Sequence, residues 1–240
     1  MTLLVVVLLV DGLGMASLPR GSFWRKCSRK IKNVRPTITA PNFVTILTGA
    51  TPKQHGVVDN HLAAPPAVDC VMHAFDDHVL ISDWRQMRHL LPPTVPPEKN
   101  FRYRRTWSQL IAEIKLRRRA DGGAALLVMN TSTLDTAAHK HGIDSDEARS
   151  VIAYIDRRTE KVAALLARSG RQFVLIGVAD HGFAGDDHEL SHDDDDDDGD
   201  DAIESVPLLF VTNRDDIARP KFRSTLRIAD FIRSLQKHKP

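Results

Sequence analysis

Leu3 to Val10 is an unbroken run of eight apolar residues that stops at Asp11-Gly12-Leu13-Gly14. A run of that length, rich in valine and leucine and closed by a turn, predicts a strand buried on both faces. Comparable runs at Ala124 to Met129, Phe173 to Ala179 and Val206 to Val211 predict further buried strands, with Val79 to Ser82 and Val68 to His73 as weaker candidates. Between them the period changes. In Asp144 to Ser169, the residues Val151, Ile152, Ile155, Val162, Leu165 and Leu166 share one helical face, and Gly170 supplies the stop. Thr106 to Arg119 predicts a second amphipathic helix. Pro41 to Thr48 predicts a third, with proline in the first turn and Gly49 at its end. Strands alternating with helices predict a three-layer α/β/α sandwich around a largely parallel central sheet.

The 240 residues, 42% of them hydrophobic, suffice for a single compact domain over 1–240, with a short rim or insertion region at about 61–105 that includes the proline-rich Pro92 to Pro97. The formal net charge of +2 conceals basic stretches at Arg20 to Arg35, Arg102 to Arg105 and Lys115 to Arg119 and an acidic stretch at Asp186 to Asp201. The basic groups are dispersed and lack interleaved stacking aromatics, so nucleic acid is not an expected partner. Asp193 to Asp198 reads as a solvated acidic insertion. Cys27 and Cys70 make no disulfide framework, which favours a reducing compartment. Leu3 to Val10 has the length of a signal-peptide core but lacks a basic leader and a small-residue cleavage site, and it is too short to span a bilayer. The expected location is the cytoplasm, with no transmembrane segment.

Chemistry collects where the predicted strands end. In α/β folds the carboxyl ends of strands are where sites are built, and four polar clusters fall there: Asp11-Gly12, Thr39-Ala40-Pro41-Asn42, Asp135 to His139 and Asp180-His181-Gly182. Divalent metals such as zinc take carboxylate oxygen and imidazole nitrogen, and a pair of ions clamps both oxygens of a phosphoryl displacement. Asp180 and His181, followed by Gly182 at a sharp turn, can face one ion, whose shell Asp11 can complete. Asp135 and His139, four apart, can share a helical turn or compact loop and grip a second ion. Each cluster alone has a plainer reading: Asp-Gly as a turn, Thr39 as a helix cap, His139 or His141 as a surface imidazole. Their joint occurrence favours a two-metal hydrolase.

The stretch from Pro36 to Asn60 resembles the nucleophile region of type I phosphodiesterases and nucleotide pyrophosphatases, within the alkaline phosphatase superfamily. Thr39-Ala40-Pro41-Asn42, Thr48-Gly49, Pro52, His55-Gly56 and Asn60 carry the likeness, and Asp11-Gly12, Asp135-x-x-x-His139-x-x-Gly142 and Asp180-His181-Gly182 match the family's metal motifs in order. The resemblance implies that Thr39 is a nucleophile that also touches the first metal and forms a covalent phospho-threonine. It implies that Asp11, Asp180 and His181 hold that metal, that Asp135 and His139 hold the second, and that Asn60 hydrogen-bonds a nonbridging phosphate oxygen beside helix-start amides. A further histidine before a late strand normally completes the second metal's shell. His192 has the better local context and His188 the better spacing from Asp180. Two divalent ions are implied, zinc by the ligand types, with manganese also compatible.

Two departures bear on function. Ala138 stands where a glycine usually precedes His139, and the insertions that recognise the leaving group in family members are short here. A substrate pocket must therefore draw on Ala63 to Arg105, where Trp84, Phe101, Tyr103 and the arginines can stack on or pair with a nucleotide or polar head group, or serve only as core and rim. The implied activity is metal-dependent hydrolysis of a small-molecule phosphoester of the phosphodiesterase or pyrophosphatase type. Thr131-Ser132-Thr133-Leu134-Asp135 with His139-Lys140 also resembles phosphonoacetate hydrolases, so phosphonate hydrolysis and phosphomutase chemistry stay open, as does a non-catalytic metal-binding member.

Overall fold

The structure, a computed structural model, describes residues 3–60, 66–90, 100–117, 123–183 and 205–237. Strands β1 (Leu3–Val10), β2 (Ser28–Lys32), β3 (Asp77–Ser82), β4 (Phe101–Tyr103), β5 (Ala125–Thr131), β6 (Gln172–Ala179) and β7 (Ser205–Thr212) form one seven-stranded sheet in the order β2-β7-β6-β1-β5-β3-β4. β7 pairs antiparallel with both β6 and β2, and every other pairing is parallel, so β7 alone runs against the rest. The largely parallel α/β sandwich expected from the sequence is what forms. β1 lies at its centre with all eight residues buried, which explains why that segment is apolar without alternation.

The helices are α1 (Phe23–Cys27), α2 (Thr39–Thr48), α3 (Pro52–His55), α4 (Thr106–Arg117), α5 (Thr133–His141), α6 (Asp146–Ala167) and α7 (Ile228–Gln236). α6 packs with α1, α4 and α5 on one side of the sheet, while α2 packs with α3 and α7 on the other. Ser145 caps α6 through its side chain, which accepts from the Ala148 amide. α2 begins two residues before the proline-based expectation, placing Thr39 at its first helical position, and it ends at Gly49 as expected. The Val68 to His73 strand does not form. That segment is a 3₁₀ turn over Val71–Ala74 whose apolar residues pack beside α7 and α2. β2 was not foreseen, because Ser-Arg-Lys-Ile-Lys buries only Ile31 and so shows too little apolar alternation. Pro92 to Pro97, His188, His192 and Asp193 to Asp198 lie outside the described residues.

One contact ties the first face to the sheet. The backbone amides of Phe23 and Trp24 donate to the two Asp156 oxygens at 3.0 and 2.8 Å, and Trp24 Nε1 donates to Thr159 Oγ1 at 2.9 Å. The fully buried indole then packs against β6 at Gly177, where a Cβ would stand 2.5 Å from the ring. Gly177→Ala is therefore expected to destabilise the fold by about 1–3 kcal/mol through overpacking. Urea unfolding checks this, and an unchanged midpoint would contradict the packing described.

Candidate metal centre

Strand register places the site. Val10 pairs with Thr131 on β5 and with Ala179 on β6, so the three central strands end level with one another. The next residues on β1 and β6 are Asp11 and Asp180, and α5, entered just past the end of β5, presents Asp135 in its first turn. The Asp11 amide donates to Thr131 O at 3.1 Å, and the Gly12 amide donates to Asp180 Oδ1 at 3.1 Å, locking the three exits together. Gly12 has φ +77°, and a Cβ there would meet the Phe183 ring at 2.6 Å, so the turn both needs the left-handed region and lies under an aromatic side chain.

Asp11, Asp180 and His181 are all buried, with ligand atoms mutually within 4.8 Å. His181 Nε2 lies 3.4 Å from Asp11 Oδ1, 3.5 Å from Asp180 Oδ2 and 3.9 Å from Asp135 Oδ1. Thr39 Oγ1 stands 3.4 Å from Asp11 Oδ1 and 3.4 Å from His181 Nε2. Ligands about 2.0–2.2 Å from a tetrahedral ion are separated by roughly 3.3–3.6 Å, which is the spacing of these side chains. Among the described residues, Asp180 Oδ2 and Asp135 Oδ1 are buried carboxylate oxygens with no hydrogen-bond partner. Buried carboxylate oxygens without hydrogen bonds are costly, and positive charge among them lowers that cost. The donor set fits a divalent ion.

The second cluster adjoins the first. Asp135 and His139 lie one turn apart on α5, with His139 Nε2 3.3 Å from Asp135 Oδ1 and the imidazole half-exposed. Phe183 sets its edge against both His139 and His181, with ring centroids 5.5 and 5.6 Å away. His181 Nδ1 donates to Gly182 O at 3.0 Å, which leaves Nε2 as the atom turned to the carboxylates.

At the start of α2, Asn42 Nδ2 donates to Pro36 O at 2.8 Å and to Ile38 O at 3.1 Å, fixing the approach to Thr39. The Ala40 amide donates to Asn60 Oδ1 at 3.0 Å, so Asn60 lies beside the helix N-terminus and spends its oxygen there. Asp11, Thr39, Asn60, Asp135, His139, Asp180 and His181 thus form one connected group. Sequence reasoning missed two neighbours. Asp83, just past β3, accepts from the Ser132 amide at 3.1 and 3.0 Å and from Thr131 Oγ1 at 3.1 Å. Its signal was available, since it is an acid directly after a predicted strand. Phe183 had none beyond its place after Gly182.

Negative charge is in excess here. Burial, and next the charge of Asp11, push Asp180 well above the carboxylate range and raise Asp135 to about 6. Burial opposes charge on His181, but Asp180 and Asp11 outweigh it and hold the imidazolium up to about 10. Burial also raises Asp83, against the pull of the Ser132 amide.

Among solved structures, an inactive variant of murine ectonucleotide pyrophosphatase/phosphodiesterase 5 in complex with AMP is similar at 19% identity over 74% of this chain and 56% of its own, with a TM-score of 0.60. The alkaline phosphatase PafA is similar at 16% identity over 75% of this chain and 62% of its own, with a TM-score of 0.58. A 2-O GAG sulfatase, BT1596, is similar at 10% identity over 95% of this chain and 70% of its own, with a TM-score of 0.61. The chain spans little more than half the length of the first of these. No curated protein sequence matches it. The fold is alkaline phosphatase-like. The pattern of the type I phosphodiesterase/nucleotide pyrophosphatase family matches residues 5–90 and 76–201, and the chain belongs to that family. Among the described residues no helix is long and apolar enough to cross a membrane.

The raised acid carries a consequence for stability. Below about pH 4 both folded and unfolded chains keep the Asp135 proton; between about pH 4 and 6 the unfolded chain loses it first, and above that range the cost to the fold is complete. In the presence of chelator at pH 7.5, Asp135→Asn should therefore stabilise the protein by on the order of 1–3 kcal/mol. The gain should vanish near pH 4. Thermal unfolding across pH measures it, and a destabilised variant would show that Asp135 serves as a structural ion-pair partner instead.

Proposed function

We propose that the protein is a metal-dependent phosphoesterase that acts through Thr39 in two displacements. The observation that carries this reading is the placement of Thr39 Oγ1 at 3.4 Å from both Asp11 Oδ1 and His181 Nε2, which makes the hydroxyl a fourth corner beside three buried ligand atoms. Membership of the type I phosphodiesterase/nucleotide pyrophosphatase family supports it, as does the AMP bound by the structurally similar murine protein.

Asp11, Asp180 and His181 would hold one divalent ion and Asp135 and His139 the other, with His188 or His192 as a further ligand. Bound there, such ions supply positive charge that lowers the hydroxyl's pKa and balances charge on the phosphoryl oxygens. Zinc suits this mixture of imidazole and carboxylate, and manganese is compatible. Thr39 Oγ forms a bond to phosphorus as the bond to the leaving oxygen breaks, and that oxygen departs with a proton from solvent. Water then forms the new P–O bond, the Thr39 O–P bond breaks, and Thr39 recovers its proton. The dipole of α2 favours a phosphoryl anion near its N-terminus, although there the Ala40 amide is held by Asn60, Pro41 has no N–H and the Asn42 amide donates to Ile38 O. Asn60, anchored through its oxygen to the Ala40 amide, keeps its amide donors for a nonbridging oxygen. Asp83 steadies the β5–α5 junction from which Asp135 projects.

Substrates of this reading are small phosphodiesters or pyrophosphates, such as nucleotides or polar head groups. Bis(p-nitrophenyl) phosphate, p-nitrophenyl phosphate and phosphonoacetate, assayed with added zinc or manganese, separate diester, monoester and phosphonate activity. Thr39→Ala is expected to lower turnover by roughly 10³-fold or more while the metal content by elemental analysis stays unchanged. A Thr39→Ala protein that turns over normally would remove the nucleophile assignment. Asp180→Asn should instead lower metal content and activity together.

A further inference from the structure

Arg85, Tyr103 and Arg104 form a cationic platform on the same rim of the sheet as the metal centre. The Arg85 guanidinium lies 5.4 Å from the Tyr103 ring centroid and that of Arg104 lies 5.0 Å from it, so two like charges share one half-exposed ring. Among the described residues, no carboxylate forms an ion pair with either. Repulsion between two such cations is relieved when an anion lies between them.

The backbone is held in an unusual form to present them. Arg104 and Arg105 have φ of 64° and 49°, two successive non-glycine residues in the left-handed region. Side chains seldom adopt that region singly, and strained residues of this kind cluster at functional sites. The surroundings pin them. The Arg104 amide donates to Ser82 O at 2.9 Å, and Gln109 Nε2 donates to Arg104 O at 3.2 Å.

Register fixes the position relative to the centre. Tyr103 pairs with Ser82, Ser82 with Asn130, and Asn130 with Leu9, so the platform stands level with the end of β1. Three strand steps, about 4.8 Å each, put its backbone about 14 Å from that of β1, and the long arginine side chains close part of the gap. This is the span of a substrate that reaches outward from its reacting phosphorus.

We propose that Arg85 and Arg104, braced on Tyr103, select phosphoesters carrying a second anionic group remote from the bond that is cleaved. The proposal rests on the phosphoesterase reading for the location of the reacting group. Because the Tyr103 ring already meets two guanidiniums, it offers charge to the substrate in place of a surface for stacking a base.

The test is equilibrium binding, which needs no turnover. Titration calorimetry with zinc-loaded protein compares adenosine 5′-monophosphate with adenosine 3′,5′-bisphosphate, which differ by one remote phosphate. Wild-type protein is expected to bind the bisphosphate about tenfold more tightly, with the ratio shrinking as salt is raised. Arg104→Gly removes the guanidinium while accommodating the left-handed backbone, and Arg85→Gln removes the other from a different segment. Each should bring the ratio close to one. A wild-type ratio of one, or a ratio that survives both substitutions, overturns the proposal. A ratio intact in a protein that hydrolyses no diester supports the platform and overturns only the phosphoesterase reading.

Discussion

The structure depends on a conflict between strand pairing and charge. β1, β5 and β6 end together because hydrogen-bonded register and three apolar runs of matched length require it. Their ends deliver Asp11, Asp180 and the approach to Asp135 into one buried volume, where carboxylates repel one another and leave two oxygens without a hydrogen-bond partner. The sheet's stability tolerates that repulsion. Burial pushes Asp135 and Asp180 above the ordinary carboxylate range, so the fold alone disfavours their charged forms.

His181 expresses the same conflict. Burial works against charge on its ring, yet the carboxylates of Asp180 and Asp11 outweigh it and hold the imidazolium up to about 10. Ligation by nitrogen requires that proton to leave. Nδ1 is tied to Gly182 O, which turns Nε2 toward the carboxylates.

The central sheet was legible because its strands announce themselves by composition. Leu3–Val10 and Gln172–Ala179 are so apolar that no helical period competes, and each is stopped by an acid and then a glycine or histidine. The carboxylate and imidazole partners were legible for the same reason, since they follow those strands directly. What was not legible had weaker or misleading local signals. Val68 to His73 is apolar enough for a strand, but its side chains are buried by helices α2 and α7, which sequence proximity does not reveal. β2 is a charged edge with a single buried residue. The level alignment of the three strand ends, and the closeness of Thr39 to His181, 142 positions away, come from tertiary register and from no local pattern.

The two outermost strands share a trait. β2 exposes Lys30 and Lys32 along a border partly covered where Lys32 bridges Ser224, and β4 is three residues long and runs into Arg104 and Arg105. A backbone edge invites a neighbouring chain to add a strand. Lysine and arginine along both margins are the kind of charge that natural sheets place at open borders to discourage a further strand from joining.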